Sequence, residues 1–270
     1  MYYRESVLVG NLALIHKTLS HFSLLFFKNS NTKQEAKENL FRKIFNLSNF
    51  FKNLLENFDD FSILSIDSSN MLICYLKTLQ DNNFVEIFLL NKEFSIITQI
   101  VNKLIIGLEH SLPKNDDEKW TLFVKLFEFC LKTILYENHE SQKIFIGLLE
   151  SMIDIKSIPM VRYKEINCLI NKFASIFVSI KQKYKGYWID IFRILNMLLK
   201  NNEKILDSPE DMEIIIWHTF IKKLLISFVD YNKSSKMYTE SEYLPIVQDI
   251  FKFINEKGMI FVNIISKTCK

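Results

Sequence analysis

His139 lies in the stretch YENHESQKIFIGLLESMID, residues 136–154, with Glu137 two positions before it and Glu140 directly after. A histidine set between carboxylates could begin a metal site or an acid–base pair, because imidazole titrates near neutrality and a carboxylate can orient it. The same residues could equally form the polar start of an ordinary helix. Asn138 carries a capping side chain, and Glu140 sits in the first turn, where the helix dipole favours an anion. Ile144, Phe145, Leu148, Leu149 and Met152 follow as an apolar stripe at spacings of one, three and four. No second histidine or cysteine accompanies His139 at ligand spacing, so the helix start is the preferred reading.

The other reactive side chains are dispersed. His16 and His21 are five apart and share a helix face poorly, and His110 stands alone. His218, in IIIWHTFIKKLL, falls at the border of a buried face, with no nucleophile or orienting carboxylate at a spacing that specifies a triad. The acid pairs Asp59–Asp60, Asp116–Asp117 and Glu210–Asp211 each fall in a loop or a first helical turn, where solvated caps explain them. A glycosidase-like acid pair has nothing further in its favour. Cys74, Cys130, Cys168 and Cys269 form no CxxC pair, and zinc needs closely spaced ligand pairs. Reduced thiols of this kind suit a cytosolic setting. Nucleotide-binding glycine motifs, HExxH, GxSxG and calcium loops are absent. SIKQKYKGYWID interleaves Lys181, Lys183 and Lys185 with Tyr184, Tyr187 and Trp188. Such a patch can bind RNA or phosphates; the alternative is that the aromatics staple a helix–helix corner around Gly186. Lys222–Lys223 adds no specificity. No catalytic, cofactor-binding or metal-ligating residue is assigned, no cofactor is expected, and the chain reads as non-enzymatic.

What positions these residues is helix. Five glycines and four prolines in 270 residues fall well below average usage, which disfavours turn-rich β folds and glycine-built phosphate loops. In 118–135, Lys125, Glu128 and Lys132 recur as one narrow polar stripe, and Leu122, Phe123, Leu126, Phe127, Cys130 and Leu131 occupy the rest. A helix so widely apolar must be covered on more than one side, which makes it an inner helix of a layered array. Further helices are expected at 5–28, 34–56, 94–111, 139–154, 162–182, 185–201, 210–229 and 240–256, with shorter, broken ones near 60–91. Ser208, Pro209, Glu210 and Asp211 read as a helix start. Loops are expected at 111–119, 199–211 and 229–243. The expected fold is all-α: a single armadillo- or HEAT-like α-solenoid over 1–270, built of antiparallel helix pairs with degenerate repeats. An irregular helical bundle is the runner-up.

Charge and hydropathy narrow the partners. With 34 basic and 31 acidic residues the net charge is +3, too balanced to point to nucleic acid. The apolar N-terminal run is broken by His16, Lys17 and His21 before the length of a membrane span, and it lacks the layout of a signal peptide. It is expected to be an amphipathic core helix of a soluble chain, or of a soluble portion of a larger one.

Four pieces, in order, resemble one family. LKTLQDNNFVEIFLLN at 76–91 is similar to a basic, Gln/Leu-rich segment leading into an apolar helix. KLFEFCLKTILYENHESQKIFIGLLESMID at 125–154 is similar to a helix–loop–helix with an Asn-Gln start to its second helix; Gln142 keeps the glutamine, and Ser141 replaces the asparagine. FASIFVSIKQKYKGYWIDIFRILNMLLKNNEKIL at 173–206 and SPEDMEIIIWHTFIKKLLISF at 208–228 complete the series. Together, over roughly 76–256, they resemble the cytosolic RIH domain shared by inositol trisphosphate receptors and ryanodine receptors. Residues 1–75 match no part of it. The arginine cluster that would bind inositol trisphosphate and the pore segments are missing, so the resemblance covers the solenoid portion alone.

The resemblance implies a non-enzymatic armadillo-like scaffold in an intracellular ligand-gated calcium-release channel. It would couple ligand sensing to pore gating through protein–protein interaction with the channel's other domains or subunits. The chain would lie in the cytoplasm at the cytosolic face of the endoplasmic reticulum, touching the membrane only through the parent channel and binding no nucleic acid. The alternative is a free-standing armadillo-like adaptor that takes a protein partner in its groove.

Overall fold

Long runs of Leu, Ile and Phe broken by single polar residues, with few glycines to interrupt them, fold as the sequence periodicity dictates. The computed structural model describes residues 14, 17, 38–39, 42–46, 48–49, 53, 66–81, 85, 88, 94–109, 117–136, 138–153, 175–201, 211–236, 239, 241–242, 244–245, 248–249 and 252. Helix makes up 89% of them and no strand occurs among them, so the described part is all-α. Six helices are resolved in full: α1 Ile66–Asp81, α2 Ser95–Glu109, α3 Asp117–Thr133, α4 His139–Ile153, α5 Tyr187–Asn201 and α6 Asp211–Ser235. Among the described residues no helix is long and apolar enough to cross a membrane. The chain divides into two compact units, residues 1–148 and 149–270, with the division falling inside α4.

In the first unit α3 is the inner helix that its narrow polar stripe predicts. Trp120, Leu122, Phe123, Leu126, Phe127, Phe129, Cys130, Leu131 and Thr133 are all buried. The helix packs against α1 and α2, and Phe129 meets Phe145 of α4 edge-on, with ring centroids 6.2 Å apart. Each large apolar side chain so buried contributes about 1.5–3 kcal/mol relative to leaving it in water. The stripe itself is less solvated than expected. Lys125 Nζ donates to Asn70 Oδ1 of α1 at 3.1 Å, and Glu128 lies 4.0 Å from Lys77 Nζ. Only Lys132 of the three is exposed.

These contacts also give direction. Along α1 the order Asn70, Lys77, Gln80 meets Lys125, Glu128, Thr133 along α3. The partners climb together, so α1 and α3 run the same way. The connection from α3 to α4 is tight, and Phe129 and Phe145 face each other from either side of it.

Within the region near 60–91, where shorter, broken helices are expected, α1 spans Ile66–Asp81 with Leu72, Ile73, Tyr75, Leu76 and Leu79 on a buried face, and Val85 and Phe88 are helical as well. α6 continues past 229 to Ser235, through residues expected as loop. Tyr231 on that extension packs against Trp188, centroids 5.9 Å apart, and the helix stops where Lys236 adopts φ 49°, a left-handed ending typical of helix C-termini. Beyond it, Glu242 reaches back to Thr239 as in one half of a capping box: its Oε2 accepts from the Thr239 amide at 3.0 Å and from the Thr239 hydroxyl at 3.2 Å, and the described residues from 241 to 252 are helical. Of the helices expected at 5–28 and 34–56, residues 14, 17, 38–39, 42–46, 48–49 and 53 are described and are helical. So are 175–179 of the helix expected at 162–182. The proposed helix start at Ser208, Pro209 and Glu210 lies outside the described residues.

Candidate functional site

The question raised by His139 resolves at the α3–α4 corner. Asn138 is the N-cap of α4: its Oδ1 accepts the Ser141 amide at 3.0 Å, and its carbonyl accepts the Gln142 amide at 2.9 Å. Glu140 sits in the first turn. His139 and Glu140 are exposed on the outer side of that turn. Phe145, Leu148, Leu149 and Met152 of the expected stripe are buried, and Ile144 is half-buried.

Ser141 and Gln142, at the start of α4, are both fully buried. The Gln142 amide Nε2 reaches the carbonyls of Ile134 and Tyr136, each at 3.4 Å. Carbonyls just past a helix end have lost their helical partners, and Gln142 supplies donors at the outer limit of hydrogen-bond range. Its Oε1 is buried with no hydrogen-bond partner among the described residues. Gln80 of α1 plays a parallel role. Its Nε2 donates to the Phe129 carbonyl at 3.0 Å and to Thr133 Oγ1 at 2.9 Å, and Thr133 Oγ1 donates to the same carbonyl at 2.8 Å. These buried amides serve the end of α3.

Two potentially reactive groups in this unit are held neutral. Burial pushes the Cys130 thiol far above its ordinary value, so the thiolate needed for nucleophilic attack or metal binding is suppressed. The Tyr75 hydroxyl is raised by burial, with its hydrogen bond to Ser48 Oγ pulling weakly the other way. Asp117 is exposed in the first turn of α3. His16, His21, His110, Asp59, Asp60, Asp116, Glu210, Cys168 and Cys269 lie outside the described residues, as do the side chains of Asp211, His218 and Lys222. Among the described residues no group of three or more His, Cys, Asp and Glu side chains could hold a metal ion.

The second unit brings its chemistry together at the aromatic–lysine patch. Gly186 turns the chain with φ 95°, a conformation glycine adopts at no steric cost, and α5 begins at the next residue. Tyr187 and Trp188 are completely buried. Tyr187 donates its hydroxyl to the Phe177 carbonyl at 3.0 Å, and Trp188 packs on Phe192, Phe228 and Tyr231. The aromatics thus staple the corner, as the sequence reading proposed. Lys183 is drawn into it. Its Nζ lies 5.0 Å from the Tyr231 ring centroid, 5.3 Å from Trp188 and 5.8 Å from Tyr187, and it donates to the Ile180 carbonyl. Burial lowers the affinity of this amine for its proton, whereas the ring faces attract the charged form. Lys181 and Lys185 stay exposed, with Lys185 pairing to Glu242 at 3.3 Å.

Beside this cluster, Arg193 lies 3.6 Å from Glu150 and 3.4 Å from Asp190, and Tyr184 donates its hydroxyl to Asp190. Burial raises the Glu150 carboxyl despite the nearby guanidinium. Tyr231 and Gln80 escaped the sequence reading because their partners are remote in the chain. No local spacing marks either residue.

No family model, curated protein or solved structure matches this chain.

Proposed function

We propose that the chain is a non-enzymatic helical scaffold, an armadillo-like solenoid of the kind the RIH region contributes to calcium-release channels. The observation that carries this reading is the use of the buried polar side chains around α3. Gln80 and Thr133 are spent on one another and on a helix carbonyl, and Gln142 on the carbonyls that follow the helix. Groups so placed specify how helices meet. The common direction of α1 and α3 agrees with this reading, since like-placed helices of successive repeats in a stacked array run parallel. A stiff array whose interfaces shift as units suits conformational coupling.

The free-standing adaptor is favoured by one observation of its own. Ile226 and Val229, three apart on α6, are 50% and 44% exposed, an apolar pair that a protein partner could cover. Affinity capture of the tagged chain from its native cells, with identification of what is retained, separates the two. Recovery of a large calcium channel supports the channel scaffold, recovery of a soluble complex supports the adaptor, and a metabolite-processing activity in the purified chain would overturn both.

A further inference from the structure

The corner around Lys183 has the features of a cation receptor already filled from within. Its Nζ is 5.0, 5.3 and 5.8 Å from the ring centroids of Tyr231, Trp188 and Tyr187, all within the range at which a ring face attracts a cation. Two rings, Tyr187 and Trp188, are completely buried, while Lys183 and Tyr231 are partly exposed. The rings therefore form a floor and wall, and the lysine is the side chain at the mouth.

We propose that Tyr187, Trp188 and Tyr231 form a binding site for an N-methylated ammonium group, with Lys183 as its resident internal occupant. A lysine ammonium is compact and strongly hydrated, and ring faces return only part of that hydration. A trimethylammonium carries no N–H, is weakly hydrated, and presents methyl groups to the same rings. Exchange would return the Lys183 ammonium to water and place in the cage a cation that needs no acceptor. Lys183 Nζ lies over all three rings, so entry requires displacement of this flexible side chain. The Ile180 carbonyl that it now contacts would be released to solvent or to Lys183 in a new rotamer. This inference is independent of the scaffold reading.

A trimethyllysine side chain and free choline present the same group, and calorimetric titration of the full chain with each tells the two sources apart. Removing the competitor with Lys183→Ala is expected to tighten binding of at least one probe by about tenfold. The unmethylated lysine peptide should bind that variant at least about tenfold more weakly than the trimethylated one. Equal affinity for both peptides, or no gain over wild type, would overturn the proposal. Saturation transfer from aromatic protons to choline methyl protons provides a test on the unaltered chain. The transfer should be present in wild type and lost in Tyr231→Ala, and its absence from wild type would equally overturn the proposal.

Discussion

Asn138 and Gln80 show what a single residue can and cannot reveal. The cap was legible because a capping side chain acts on amides two or three positions ahead, within the same stretch of sequence. Replacing Asn138 by Ala should cost about 1 kcal/mol, while Asp at the same position should be almost neutral; urea midpoints of the two variants check this. The role of Gln80 was hidden because Phe129 and Thr133 lie on another helix. Glu242 belongs to this scale too. Its carboxyl is held below the usual range, first by the Thr239 amide and then by Lys185. A depressed carboxylate stabilises the fold above its ordinary pKa of about 4.3, and that contribution is lost as the pH falls through the depressed value. Glu242→Gln should therefore show a shallower loss of stability on acidification than wild type, measured as urea midpoint against pH.

At the scale of elements, α3 was readable as an inner helix from its pattern alone, because a narrow polar stripe leaves too much apolar surface for one neighbour to cover. Where that stripe points was not readable, since Asn70 and Lys77 of α1 meet it only in the folded chain. The extension of α6 was missed for a similar reason. VDYNKSS has no apolar periodicity of its own, and the Tyr231–Trp188 contact anchors it. The aromatic corner was recognised from SIKQKYKGYWID, but its third ring, from α6, was not. Truncating the fully buried Trp188 to Ala should cost about 3–5 kcal/mol, read from chemical denaturation. Between α4 and α5, Glu150 has its carboxyl raised by burial, with Arg193 opposing. A raised carboxyl binds its proton more tightly in the folded chain, so wild type gains stability as the pH falls from the raised value toward the ordinary one. Any stability advantage of Glu150→Gln should accordingly be largest at about pH 8 and shrink toward about pH 5. An advantage that grows on acidification would contradict the burial argument.

For the whole molecule, all-α architecture followed from composition and period. The pairing of α1 with α3 did not, because non-local helix packing leaves no mark on either helix alone. The first unit is organised around α3, and Cys130 reports on its integrity. The thiol is completely buried and held neutral, so alkylation of Cys130 under native conditions should proceed only as fast as that unit opens. Site-resolved mass spectrometry of the modified cysteine measures this. Native-state hydrogen exchange of the full chain tests the central claim most directly, that α3 is the enclosed helix around which a scaffold is built. The account predicts that the amides of 122–131 exchange slowest in the first unit, through global rather than local opening. Exchange of those amides as fast as that of the exposed end of α6, residues 229–235, would contradict it.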